Sequence, residues 1–356
     1  MRVKISSLGC RLNISEIESV STALKLRGHT IVSEDTADVY IINSCTVTSA
    51  AEASSRKLWN KARKSISSNA IVIVTGCASG LDRYQDGIYF VSNDYKHFIP
   101  DLIENIEIDY VNSTNASRFN YLAPYMSSTT RANLKIQDGC NNFCSFCYIP
   151  FVRGNTQSKP IDDIVNDFQK LIDANFIEIV LTGIQIANYN DNGLKLVDLL
   201  KKLLSLDGNF RLHLSSILPS AVSNELIDLF DNDKLVKHLS MSLQSGSEKI
   251  LKLMNRNYSA KYYIDTVNKI KLKYPLFNFT TDLIVGFPKE TDSDFNDSLE
   301  VMKDAGFSQT HIFRYSQRPQ TKAATLEGQI SETIKKERAQ KAGVKLNFKK
   351  RILHKI

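Results

Sequence analysis

The stretch "DGCNNFCSFCYIP", Asp138–Pro150, places three cysteines at a C-x3-C-x2-C spacing in one short segment. Gly139 stands just before the first thiol and supplies the freedom for a tight turn, so three thiolates can converge on one soft metal centre. Zinc in structural sites wants four protein ligands, and this segment offers no fourth Cys or His. Three buried thiols are the plainer alternative, yet buried cysteines rarely cluster beside Asn141, Asn142 and Ser145. An iron–sulfur cluster with one iron left open fits the ligand count best. The run Leu134–Gln137 reads as a strand leading into the segment, and loops at the carboxyl ends of barrel strands are where active sites sit.

The remaining three cysteines, Cys10, Cys45 and Cys77, lie far apart in "SSLGC", "YIINSC" and "IVTGC". Each follows a strand-like apolar run. In an open parallel sheet such loops leave one carboxyl edge and meet in one crevice, so these residues form a second candidate three-thiolate site. Taken singly, each reads first as a core cysteine, since Cys is among the most buried residue types. The repeated position after successive strands favours the joint reading.

Strand-like runs alternate with helix-like segments in two blocks. The first runs from Arg2–Ser7 through Glu16–Arg27, Val39–Ile42, Ala50–Ser65 and Ile71–Val74 to "IYFV" at residues 88–91. Asn112–Thr130, rich in Ser, Thr and Asn, reads as a linker. The second block predicts strands near Leu134–Gln137, Ile177–Leu181, Arg211–Leu214, Leu239–Leu243, Phe277–Val285 and Thr310–Phe313. Helices are expected between them at Ile161–Ala174, Leu194–Leu206, Asn224–Phe230, Ser259–Lys273 and Asp292–Ala305. Six strand-helix units are too few for a closed eight-unit barrel. The expected class is α/β: an open parallel-sheet domain (1–117), a linker (118–130), a partial six-unit barrel (131–330) and a basic C-terminal helix (331–356).

The chain of 356 residues is 42% hydrophobic and 23% charged, ordinary globular composition. It has no apolar run of about 18 residues or more and no signal-peptide pattern, which points to a soluble, cytoplasmic protein without a membrane partner. Six cysteines in a reducing compartment favour metal ligation over a disulfide framework. The net charge of +7 is concentrated at one end, since residues 331–356 carry nine Lys and Arg against two Glu.

The motifs together carry a family resemblance. The segments "SLGCRLN", "NSCTVTSAAEASSR", "TGCA", "IQDGCNNFCSFCYIPFVRG", "VLTGIQIANY", "MSLQSGSEKILKLMNR", "DLIVGFPKET" and "HIFRYSQRPQTKAA" resemble the methylthiotransferases among the radical S-adenosylmethionine (radical SAM) enzymes over nearly the whole chain. "GCRLN" and "NSCTVT" are most similar to the branch acting on N6-threonylcarbamoyladenosine in tRNA. The resemblance implies that Cys140, Cys144 and Cys147 hold a 4Fe-4S cluster whose free iron chelates S-adenosylmethionine. Electron transfer would then release a 5′-deoxyadenosyl radical that takes hydrogen from C2 of the adenine. It further implies that Cys10, Cys45 and Cys77 hold an auxiliary 4Fe-4S cluster carrying the sulfur, with two S-adenosylmethionine molecules per turnover, one methyl donor and one radical source. Partners so implied are tRNA and a flavodoxin- or ferredoxin-like electron donor; the sulfur donor is not implied.

Phe146 would pack near the cofactor's adenine, against the alternative of a core aromatic. Thr182 and Gly183 are candidates for its methionine end, against a strand-ending turn; Gly286 would let backbone approach the ligand closely, against a Gly-Phe-Pro turn; Gln185 and Gln244 would line the site, against exposed loop polars. Lys289 stands where the family usually shows glycine. The family normally continues into a β-barrel RNA-binding (TRAM) domain. This chain ends at Ile356, so that domain is expected to be absent. Arg56, Lys57, Lys61, Arg63 and Lys64 around Trp59, and the basic tail, are the candidate RNA contacts, with solvated helix faces as the alternative. The same chemistry on isopentenyladenosine or on a ribosomal-protein aspartate remains the rival within the enzyme class. A non-catalytic iron–sulfur RNA-binding remnant is the rival outside it.

Overall fold

The computed structural model describes residues 1–34, 36–65, 70–80, 83–85, 87–105, 116–127 and 130–353. The chain divides into two compact units, Met1–Asn141 with Tyr148–Leu212, and Asn142–Cys147 with His213–Ile356.

The first unit opens with a six-stranded sheet in the order Thr30–Val32, Arg2–Ser7, Val39–Ser44, Ile71–Gly76, Ile88–Phe90, Arg83–Gln85. The first five strands run parallel and the last pairs antiparallel at the edge. Every residue of the central Val39–Ser44 is buried, which is why it reads as an unbroken apolar run. Its side chains alternate between two cores. Val39 and Ile41 join Val3, Ile73, Ile17, Val20 and Leu24 beneath helix Arg11–Leu26. Tyr40 and Ile42 join Val72, Val74 and Ala62 beneath helix Ser49–Ser65, with Leu58 and Trp59 packed on them. Trp59 meets Phe90 edge to face at 6.0 Å, so it belongs to the packing of this core.

A second sheet in this unit orders Arg131–Lys135 next to Glu178–Thr182, with Arg211–Leu214 on the far side. Helices Ile161–Asp173 and Leu196–Leu204 accompany it. A two-residue hairpin, Gln137–Asp138 with Gln157–Ser158, brackets the cysteine segment in sequence. Within the expected linker, residues 106–115 and 128–129 lie outside the described residues. Residues 116–127 form neither helix nor strand, yet Ala123 is buried and Arg118 pairs with Asp94 at 2.5 Å.

The second unit orders His238–Ser240, Asn278–Val285 and Gln309–Arg314 in one parallel sheet. Its helices are cut by side-chain caps. Ser247, Ser259 and Thr291 accept the N–H of the residue three positions on, starting Glu248–Leu253, Ala260–Lys273 and Asp292–Ala305. Gly306, in the left-handed region at φ 63°, ends the last of these. The expected C-terminal helix spans Glu332–Leu353. Of its expected apolar face, Ala342 is buried and Ala339 half-buried, while the side chains of Leu346 and Leu353 lie outside the described residues. Among the described residues, no helix is long and apolar enough to cross a membrane.

Candidate iron–sulfur sites

The parallel register aligns Ser7 with Asn43 and Ser44 with Gly76, so Cys10, Cys45 and Cys77 all follow strands that end on one edge. Cys10 is the N-terminal cap of helix Arg11–Leu26 and is exposed; Cys45 and Cys77 are buried. Burial pushes the Cys45 thiol up to about 11, and the nearby Cys77 and Cys10 thiols push the same way. Three thiols that would repel one another as thiolates are thus gathered together.

The backbone is tightened around them. Gly9 has φ 106°, and a Cβ there would stand 3.2 Å from Cys45 Sγ and 2.8 Å from Asn13 Nδ2. Gly76, at φ 88°, would overlap Ser44 if it carried a Cβ. Only glycine fits either place. Asn13 Nδ2 donates to the carbonyls of Leu8 at 2.8 Å and Ser44 at 2.9 Å, tying the first cysteine loop to the second. The Cys45 N–H donates to Ser55 Oγ, and Ser55 returns a hydrogen bond to the Cys45 carbonyl, both at 3.0 Å.

Beneath this edge lies a fully buried charge network. Arg153 donates to Glu16 at 2.8 Å, to both Asp138 oxygens at 3.0 and 3.1 Å, and to Asn13 Oδ1 at 2.6 Å. Lys96 pairs with Glu16 at 2.5 Å and Lys135 bridges Glu16 and Asp138 at 2.6 and 2.7 Å. Burial alone would raise both carboxyls, but Arg153 and the lysines hold Glu16 well below its ordinary value and lower Asp138 as well. Burial raises the ionisation of the Cys77 thiol, and the Arg153 guanidinium eases it. Its Nε is buried with no hydrogen-bond partner. Removing one member of such a buried network costs roughly 3–5 kcal/mol, because the remaining charges lose compensation.

The C-x3-C-x2-C segment is divided between the units. Cys140 belongs to the first, where its N–H donates to Gly154 O at 3.1 Å. A Cβ on Gly139 would overlap Asn155, so the residue ahead of this cysteine is again a required glycine at φ 68°. Cys144 and Cys147 belong to the second, joined by Cys147 N–H to Cys144 O at 2.9 Å. There Arg256 donates from Nη1 to Cys144 Sγ at 3.1 Å and from Nε to Tyr258 Oη at 3.0 Å. Its Nη2 is buried without a partner.

The other expected residues take varied places. Phe146 packs on Ile250, Met254, Phe287, Tyr315 and Ala323, a hydrophobic core position. Thr182 is buried at the end of its strand, and a Cβ on Gly183 would stand 2.8 Å from the Gln137 carbonyl. Gln185 receives Gln137 Oε1 on its N–H at 2.7 Å, and its own Oε1 is buried without a partner. Gln244 adopts φ 65° and exchanges backbone bonds of 2.9 Å with Asp282 and Ile284. Gly286 lies under Lys335, and its N–H donates to Glu290. Lys289, where glycine is usual, adopts φ 66° and donates its N–H to Gly328 O at 2.8 Å, so the turn is made with the conformation glycine favours.

Among the described residues, no three His, Cys, Asp or Glu side chains stand close enough to hold a single metal ion. A 4Fe-4S cube spreads its thiolates over a wider span than one ion does, and the donor set here is thiol alone. Gly9, where a Cβ would stand 3.2 Å from Cys45 Sγ, and the buried, partnerless Arg153 Nε fit such a group. Arg256 closes the motif "LKLMNR", but an arginine flanked by Asn255 and Asn257 gives no sign in the sequence of touching a thiol.

Comparison with known proteins agrees with this geometry. Residues 134–302 match the Radical SAM superfamily, and residues 2–88 match Uncharacterized protein family UPF0004. The threonylcarbamoyladenosine tRNA methylthiotransferase MtaB of Thermotoga maritima is 34% identical over 99% of this chain and 85% of its own. That of Bacillus subtilis is 36% identical over 94% of this chain and 78% of its own. A tRNA-2-methylthio-N(6)-dimethylallyladenosine synthase of Fusobacterium nucleatum is 33% identical over 96% and 82%. In fold, the chain resembles the radical S-adenosylmethionine methyltransferase TsrM from Kitasatospora setae, with TM-score 0.61 and 12% identity over 91% of this chain and 75% of that one. A 4Fe-4S cluster and S-adenosylmethionine follow from the superfamily. The chain belongs to the tRNA methylthiotransferase family of radical SAM enzymes.

Proposed function

We propose that this chain inserts a methylthio group at C2 of N6-threonylcarbamoyladenosine in tRNA, with a second, auxiliary cluster held by Cys10, Cys45 and Cys77. The observation that carries this reading is the gathering of those three thiols on one sheet edge, in a chain that also has the Cys140, Cys144, Cys147 motif. When bound, the Cys140 cluster supplies an electron for cleaving S-adenosylmethionine, and the auxiliary one supplies sulfur. The chain's own residues do the rest. Cys140, Cys144 and Cys147 hold the first cluster, and Arg256 fixes the Cys144 sulfur. Buried Thr182, Gly183 and Gln185, with Gln244 and Gly286, orient the cofactor, while the apolar packing around Phe146 keeps water away. Two S-adenosylmethionine molecules are consumed per turnover, the electron comes from a flavodoxin- or ferredoxin-like donor, and the reaction takes place in the cytoplasm.

Mass spectrometry of tRNA nucleosides from cells with and without the chain tests the substrate. 2-Methylthio-N6-threonylcarbamoyladenosine appears only with it; a methylthio group on isopentenyladenosine instead would reassign the branch. In the reconstituted enzyme Cys144→Ala abolishes 5′-deoxyadenosine formation, whereas Cys45→Ala leaves cofactor cleavage and stops methylthiolation. Methylthiolated product from Cys45→Ala, or loss of its cofactor cleavage, would overturn the division of labour.

A further inference from the structure

The buried network that Asn13 ties to the Cys10 and Cys45 loops does not balance by itself. It contains three cations, Lys96, Lys135 and Arg153, against two carboxylates, Glu16 and Asp138. All five are at most 6% exposed, and one positive charge is left over. Leaving a net charge away from water is expensive unless something nearby answers it. An oxidised 4Fe-4S core with two positive charges, held by three thiolates, carries one net negative charge. Resting on the auxiliary-cluster reading above, we propose that this network is the built-in counter-charge of the auxiliary centre, and that Arg153 is the positioning residue that holds it against the cysteine loops through Asn13.

Several placements support the assignment. Arg153 reaches the cysteine loops through Asn13, since a Cβ on Gly9 would stand 2.8 Å from Asn13 Nδ2 and 3.2 Å from Cys45 Sγ. Its Nη atoms are taken up by Glu16, Asp138 and Asn13, and Asn13 in turn holds the loops that carry Cys10 and Cys45. Lys96 adds its charge at Glu16 Oε2 and donates to Asn43 Oδ1 at 3.2 Å, with no hydrogen bond to a cysteine among the described residues. The potential of an iron–sulfur cluster is set by net charge, hydrogen bonds to its sulfurs and solvent exposure. A fixed, buried positive charge close to the cluster therefore raises the potential and favours each added electron.

The test uses the full chain with Cys140→Ala, Cys144→Ala and Cys147→Ala, so that only the auxiliary cluster is present, followed by paramagnetic resonance during redox titration. Arg153→Gln should lower the midpoint by at least about 59 mV, a tenfold shift of a one-electron equilibrium, while Arg153→Lys keeps the parent value. Lys96→Gln, remote from the thiols, should shift it in the same direction by less. An Arg153→Gln protein that loads iron at the parent potential overturns the proposal. Should Arg153→Gln fail to fold or load, Lys96→Gln decides: a lowered potential supports the counter-charge and an unchanged one overturns it. If the triple-alanine parent itself binds no cluster, the auxiliary-cluster reading falls and the counter-charge with it, an outcome distinct from a loaded cluster at unchanged potential.

Discussion

Lys289 carries a local conformational cost. A side-chain-bearing residue in the left-handed region is disfavoured by roughly 1–2 kcal/mol, and Lys289 sits there at φ 66° with its side chain exposed. Its N–H bond to Gly328 O fixes the turn between Phe287 and the capped start of helix Asp292–Ala305. Lys289→Gly should therefore raise stability by about 1 kcal/mol, the relief of strain being partly offset by a looser unfolded chain. Thermal unfolding measures this, and a lower midpoint in the variant would show that the lysine is not strained. The glycines before Cys10, Cys77 and Cys140 make the converse case, since there a Cβ meets a neighbour at once. That Gly-Cys step, repeated at strand ends, was visible in the sequence. The arginine on Cys144 was not, because it comes from a residue 112 positions away in the chain.

Helix Ser49–Ser65 shows how one element serves core and surface together. Ser55, Leu58, Trp59 and Ala62 turn inward, Ser55 to hold the Cys45 backbone and the others to cover the sheet. Lys57, Lys61 and Lys64, spaced by four and three, share the outward stripe, and all are exposed. A positive stripe on the helix that follows Cys45 suits phosphates near a substrate base. The double variant Lys57→Glu, Lys64→Glu should weaken tRNA binding and flatten its dependence on log salt by about 0.7–0.9 for each phosphate no longer neutralised. Binding curves at several salt concentrations check it, and an unchanged slope removes this helix from the interface. Helix bounds were legible where caps and periodicity agreed: Asp292–Ala305 runs between Thr291 and Gly306 as the sequence indicates. Helix Arg11–Leu26 begins a turn before its expected start at Glu16, because its inner face carries Asn13, Ser15, Glu16 and Ser19, all buried. Short pieces such as Thr30–Val32 and Glu248–Leu253 hold too few residues for either period to declare itself.

Across the whole molecule the excess positive charge of the last 26 residues reads as a nucleic-acid tail, yet the described part of that helix turns two cations inward. Lys335 pairs with Glu332 at 2.8 Å over Gly286, and Arg338 donates to Glu290 at 3.1 Å and to Asp292 at 2.8 Å. Hydropathy cannot distinguish a lysine that solvates a helix from one that clamps it to a loop, since only the partner's burial decides. Glu290 is that buried partner. Burial pushes its carboxyl up to about 7 despite Arg338, from an ordinary value near 4.5. A folded state that binds a proton more tightly than the unfolded chain gains stability that is complete below pH 4.5 and disappears as the pH rises through 7. The native protein should therefore lose thermal stability between about pH 5 and pH 8 relative to Glu290→Gln, which keeps a neutral side chain throughout and leaves Arg338 its bond to Asp292. Melting midpoints of both proteins across that range provide the measurement. A constant difference between them would mean that Glu290 stays ionised in the fold and that the clamp on the C-terminal helix is an ordinary ion pair.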